Sequence, residues 1–342
     1  MRRPPIAPVA WTPPPAPARA ARTRSAPPMP PLSRIDLAGA SGPEDVAVEA
    51  DGSVVTGVGD GRILRLRPDG SPPETVATTG GRPLGVEIAG DGRLIVCDAD
   101  RGLLRITPDG AETEVLVAAD DGATREHTVG LCNNSAVAPD GTVYFSDSSR
   151  RFPLRHFLGD VYEGSGTGRL LRRALDGEVS VLLDGLHFAN GVALADDGSF
   201  VAVAETTAYR VRRIRLTGPR AGESELLAEN LPGMPDNLST GTGGRIWMAL
   251  PAPRSRVLDW ALPRAPVLRK VAWHLPEPMR PALGRTAWVM ALDAEGRTVA
   301  DLQGPGDAFA MVTGVREHDG GLYLGSLTEP AIARLPLPAA AG

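Results

Sequence analysis

Four side chains with hard oxygen atoms stand at one offset from a recurring turn. Glu44, Asn133, Asn190 and Asp236 each lie seven residues before a dipeptide, namely Asp51-Gly52, Asp140-Gly141, Asp197-Gly198 and Gly243-Gly244. The same offset in two further copies falls on Leu84 and Val312. Two carboxylates and two amides offer only oxygen donors and carry two negative charges. Calcium takes roughly six to eight such oxygens at about 2.3–2.6 Å. Zinc would prefer histidine and cysteine, and neither occupies the offset. Asn237 follows Asp236 directly and adds another candidate oxygen, whereas Asn134 rivals Asn133. Four residues before the dipeptide, the same copies hold Ala47, Ala136, Ala193 and Ser239, small enough for strands crowding an axis. Glu87 and Val315 break this regularity in the other two copies.

The elements that must position these residues are repeated hairpins. The copies begin at Asp51, Asp91, Asp140, Asp197, Gly243 and Asp319, each a turn dipeptide followed by alternating apolar residues, as in DGRLIVCDADRGLLRITPDG. Asp-Gly between such alternations is a strong hairpin signal, because both turn positions tolerate positive φ. Six copies, about 40 to 76 residues apart, match the blade spacing of an all-β, six-bladed β-propeller. In that architecture the strand entering each turn is the inner one. Equivalent positions then form a ring at the mouth of the central channel. Two longer intervals, Arg150–Gly168 and Arg254–Arg285, read as lid-like insertions on one face. SRIDL at 33–37 reads as a strand closing the ring against the last blade, leaving no free edge there.

Composition excludes several alternatives. The 342 residues include 40 glycines and 33 prolines and carry a net charge of −5 without a basic patch, so nucleic acid is not an expected partner. Cys97 and Cys132 make no disulfide scaffold or metal spacing. No run of about 18 apolar residues predicts a transmembrane helix. Residues 1–32 lack a signal peptide's apolar stretch and read as a disordered proline-rich arm preceding a propeller domain at 33–342. A cytoplasmic location is the resulting expectation. Lys270 as the only lysine points to a GC-rich bacterial genome. There is no G-x-S-x-G elbow, P-loop, H-E-x-x-H or dinucleotide fingerprint in its required context. Cys132 reads as a small apolar residue, and Tyr144, Phe145 and Trp247 read as core. His127 and His187, six and three residues before Asn133 and Asn190, are candidates to reach the channel mouth.

The motifs GPEDVAV, GRPLGV, NSAVAPDGTVYFSDSS, FANGVAL, LPGMPDNLS and EHDGGLYLGS occur in order between Ile35 and Leu337. They resemble the strictosidine synthase-like family, which is grouped with gluconolactonases and paraoxonases among six-bladed propellers. The resemblance implies a catalytic calcium in the channel, held by Glu44, Asn133, Asn190 and Asp236. It also implies that the glutamate with which true strictosidine synthase condenses amine and aldehyde is replaced here by Thr313. The expected activity is therefore calcium-dependent hydrolysis of lactones or aryl esters, a small-molecule chemistry in which Asp236 serves as nucleophile or as base. The alternatives are a carbon–nitrogen condensing lyase and a non-catalytic binding propeller stabilised by its ion.

Overall fold

The computed structural model describes residues 3–120, 128–264, 266–276 and 284–337. Six four-stranded antiparallel sheets succeed one another along the chain, each running outward from an inner strand. Blade 1, for example, consists of Ala47–Val48, Val54–Gly57, Arg62–Leu66 and Glu74–Thr78. Alternation of branched apolar residues forms these strands, and their two faces pack between neighbouring blades. Val86, Val96 and Leu104 of blade 2 thus meet Ala47, Val55 and Ile63 of blade 1 in one buried cluster. Ser33–Asp36 supplies the outermost strand of blade 6, pairing antiparallel with Ala331–Pro336 through Ile35 opposite Ile332. The predicted six-bladed propeller and its closing strand are both present.

Four of the six inner strands break their ladder near the start. In blades 2, 3, 4 and 6 two residues are skipped opposite one: Leu84-Gly85, Asn133-Asn134, Asn190-Gly191 and Thr313-Gly314. These are β-bulges, which re-aim side chains. Glu44-Asp45 and Asp236-Asn237 occupy the corresponding places ahead of Val46 and Leu238. The sixth ring position is therefore Thr313, where counting back from the turn gives Val312. The cause is the last hairpin. His318 pairs with Gly321 across a two-residue turn, tighter than the turns of the other blades.

The insertions carry short helices: α1 (Phe157–Glu163), α2 (Arg256–Ala261) and α3 (Pro266–His274). Phe152 and Trp273 from the two insertions share a buried cluster with Ile6. The predicted disorder of residues 1–32 is not what the structure shows over residues 3–32. Ile6 is buried between the insertions, and Val9 N donates to Glu163 O at 2.8 Å. Trp11 stacks on His187 with ring centroids 6.0 Å apart. Arg19 donates to Asp301 Oδ1 at 2.8 Å and lies over the Trp288 ring. A proline-rich segment has little conformational freedom to lose and few N–H groups to satisfy, so a few such anchors hold it. Composition alone does not reveal those anchors.

Candidate metal centre in the propeller channel

The bulged residues build the channel in layers. The upper ring is Glu44, Leu84, Asn133, Asn190, Asp236 and Thr313. All are buried, and Asp236, the most accessible, is 8% exposed. The four residues read from the sequence are joined there by Asn237, because Asn237 Nδ2 donates to Glu44 Oε2 at 3.0 Å. Asn237 N donates to Asp236 Oδ1 at 3.0 Å, and the Asn190 side chain hydrogen-bonds the same carboxylate. Asn133 Nδ2 donates to Ser148 Oγ at 2.9 Å, and that hydroxyl donates to Ala189 O at 2.7 Å. The Asn133 amide is thereby turned so that its carbonyl is free.

The ring gathers buried oxygen atoms with unmet demands. Asn133 Oδ1, Asn190 Oδ1 and Asn237 Oδ1 are buried without a hydrogen-bond partner. Such atoms cost free energy unless something accepts their lone pairs. Burial raises the pKa of Glu44 well above the carboxylate range, and the charges of Asp236 and Asp45 raise it further. Burial likewise pushes Asp236 up to about 7 against the opposing hydrogen bonds of Asn237 and Asn190. Two strained carboxylates and three unsatisfied amide oxygens fit a hard divalent ion. Among the described residues no group of three or more His, Cys, Asp or Glu side chains gathers as a metal cluster, so amides must supply much of any shell.

A second layer lies one residue further on: Asp45, Gly85, Asn134, Gly191, Asn237 and Gly314. Polar side chains occupy the odd blades and glycines the even ones. Asn134 Nδ2 donates to Asp45 Oδ2 at 3.1 Å. Val86 N donates to Asp45 Oδ2 at 3.2 Å, and Val192 N to Asn134 Oδ1 at 2.8 Å. Burial pushes Asp45 up to about 7, although the Arg316 charge opposes it. The glycines are required by close approach. A β-carbon at Gly191 would lie 2.1 Å from Leu238 N, and one at Gly314 would lie 2.7 Å from Asp45 Oδ1. The sequence reading missed Asp45, Ser148 and the supporting role of Asn134.

The third layer is Ala47, Glu87, Ala136, Ala193, Ser239 and Arg316, aligned by register. Its two exceptions to small size are partners, since Arg316 Nη2 donates to Glu87 Oε1. Arg316 Nε also donates to Val46 O at 3.3 Å. A cavity of about 140 Å³ opens at this end, lined partly by Glu87, Ala136, Ser239 and Arg316. At the opposite end, Leu154 and Phe157 of the first insertion pack on Leu84, Ala99, Leu131 and Phe188. That apolar layer covers the upper ring.

Comparison with known proteins identifies the family and the fold. Residues 133–219 match the strictosidine synthase family model, and residues 31–66 match the strictosidine synthase-like N-terminal model. The human adipocyte plasma membrane-associated protein is 35% identical over 320 residues, spanning 87% of this chain and 76% of the relative. Strictosidine synthase-like 10 of Arabidopsis thaliana is 33% identical over 324 residues, spanning 86% and 85%. The chain belongs to the strictosidine synthase-like family. These relatives are from an animal and a plant, and they lend no support to the bacterial, cytoplasmic expectation. Among solved structures, a gluconolactonase from Xanthomonas campestris superposes with a TM-score of 0.63 at 18% identity, covering 99% of both chains. The calcium-binding protein regucalcin from Agrobacterium tumefaciens gives 0.61 at 14% identity, covering 91% and 95%. At these identities the likeness is one of fold.

Of the remaining candidates of this strictosidine synthase-like protein, His187 and Cys132 are not members of the ring. His187 is stacked under Trp11, its backbone N–H donates to Glu205 Oε2 at 3.0 Å, and burial lowers the pKa of its imidazole. His127 lies outside the described residues. Cys132 is buried beside Cys97, and burial raises its thiol pKa. Thr313 Oγ1 donates to Glu44 O at 2.6 Å, so its hydroxyl fastens the ring. No described helix is long and apolar enough to cross a membrane.

Proposed function

We propose that the protein is a calcium-dependent hydrolase of lactones or aryl esters. The observation that carries this reading is the convergence of three partnerless amide oxygens and two acidic side chains on one end of the channel. Glu44, Asn133, Asn190 and Asp236 would hold the ion, with Asn237 as a further donor. Bound calcium supplies Lewis-acid polarisation of an ester carbonyl. Asp236, oriented by Asn237 N and the Asn190 side chain, either attacks the acyl carbon or takes the proton of an attacking water. Glu44 is oriented by Asn237 Nδ2 and would offer a carboxylate oxygen to the ion. Leu84, Leu131, Phe188, Leu154 and Phe157 form an apolar wall suited to an acyl or aryl group, and they exclude water. Fold likeness to a gluconolactonase and to regucalcin supports the choice of lactone and of calcium.

The test is hydrolysis of aryl esters and lactones by protein stripped with EDTA, then restored with calcium. Turnover lost and regained with the ion supports the reading; no turnover in either state overturns it. The close burial of the ring favours one second reading, a binding propeller with a structural ion. That reading requires Asp236→Asn to lower the melting temperature with no substrate ever turned over. A condensing lyase is disfavoured, because Thr313 offers no acid or base where the resemblance expects a glutamate.

A further inference from the structure

The second insertion leaves apolar side chains on its outer face. α3 turns Arg269 and Trp273 inward. Arg269 donates to Tyr162 O, Glu163 O and Val9 O, and Trp273 Nε1 donates to Pro4 O at 2.8 Å. Val267, Leu268 and Val271 are left 64%, 46% and 56% exposed, and Val257 and Trp260 of α2 are 58% and 51% exposed. Single exposed apolar residues need no explanation, but five within one insertion mark an interaction surface.

Charge defines the partner. Arg256, Arg264 and Lys270 are exposed on the same insertion, and Arg264 lies 4.4 Å over the Trp260 ring. The one acid between 256 and 275 is Asp259, which accepts from Tyr209 Oη at 2.9 Å and Arg254 Nε at 3.0 Å. Arg155 of the adjoining insertion is also exposed, Asp160 is buried, and Arg151 is paired with buried Glu163 Oε1 at 2.8 Å. A basic, apolar lid thus stands on a chain whose net charge is −5.

We propose that this lid docks on an anionic lipid bilayer. α2 and α3 are too short to span and would lie in the interfacial plane. Trp260, Val267, Leu268 and Val271 would enter the headgroup boundary, while Arg256, Arg264 and Lys270 pair with lipid phosphates. A second copy is a poor occupant, because a self-complementary contact would set like charges against each other. Nucleic acid would use the cations and leave the aliphatic side chains without a role. The inference rests on the lid alone and stands whether or not the ring hydrolyses esters.

The experiment is co-sedimentation of the full chain with vesicles of phosphatidylcholine, with and without phosphatidylserine. Binding to the anionic vesicles that weakens with salt is expected. Lys270→Glu and Arg264→Glu should each weaken it roughly tenfold or more, and Trp260→Ala paired with Val271→Ser should abolish it. Unchanged melting temperatures would show that these exposed substitutions leave the fold intact. Failure to bind either vesicle, or equal binding by all variants, overturns the proposal. So does a dimer in light scattering, or an RNA complex, that the same substitutions remove while vesicle binding is absent.

Discussion

Asn133 shows how one side chain becomes a candidate ligand. Its amide nitrogen is committed to Ser148 Oγ, and its carbonyl oxygen is left buried without a partner. Ser148→Ala should free the amide to rotate and weaken calcium binding by about 10- to 100-fold, the usual effect of losing such outer support. Isothermal titration checks this, and unchanged affinity would remove Ser148 from the site. Asp236→Asn should lower any ester turnover by on the order of 10² or more, as for loss of a positioned base, measured as kcat at saturating calcium. Residue identities at the upper ring were legible because four of them share one offset. Val312 was the error, since counting from a turn assumes equal hairpins and the last is shorter. The pairing of Glu87 with Arg316 stayed hidden for the same reason, a slip of one residue that put Val315 where Arg316 belongs.

The inner strands are the element that matters, and their logic is a doublet. Odd blades place two polar residues in succession at this level, Glu44-Asp45, Asn133-Asn134 and Asp236-Asn237. Even blades end the doublet in glycine, at Gly85, Gly191 and Gly314. This alternation was present in the sequence and needed only the correct register to be seen. Gly191→Ala would drive its methyl into Leu238 N and Asp236 O. It should destabilise by about 1–3 kcal/mol or more, as overpacking does, with a lower melting temperature and weaker calcium binding together. A stable variant with native affinity would show that the strands do not crowd there. The lid makes a different prediction. Burial pushes Asp160 up to about 6 against the hydrogen bond from Ser149 Oγ. An acid whose folded-state pKa lies above its unfolded value of about 3.9 opposes folding once ionised. Its cost is absent below pH ~4, grows as pH rises, and is complete above about 6. The melting temperature of Asp160→Asn relative to the native chain should therefore climb between those values and then level off. A difference independent of pH would refute this.

At the scale of the molecule, the proposed site is distributed over blades 1, 3, 4 and 5, so ion binding there would be linked to global stability. Calcium at about 100 times its dissociation constant should add about 2.7 kcal/mol, read as a higher melting temperature that EDTA reverses. No shift would argue against a site in the folded ring. The propeller was legible from six self-similar hairpins, and the closing strand from one short alternation. The course of residues 3–32 was not, because proline-rich composition hides anchors such as Ile6, Trp11 and Arg19, whose partners lie more than a hundred residues away.

The strand Ser33–Asp36 pairs with Ala331–Pro336, so the first strand of the domain has no partner until the last has been made. A ribosome delivers roughly 5–20 residues per second, and for all that time the nascent chain holds an open arc with two unpaired edges. Blades 1 to 5 contain every proposed ligand, yet Glu44 is fastened through its carbonyl to Thr313 of blade 6. Competence for the ion should thus arrive abruptly once blade 6 has been made. Stalled chains lacking blade 6 should not retain calcium, whereas released full-length chains should.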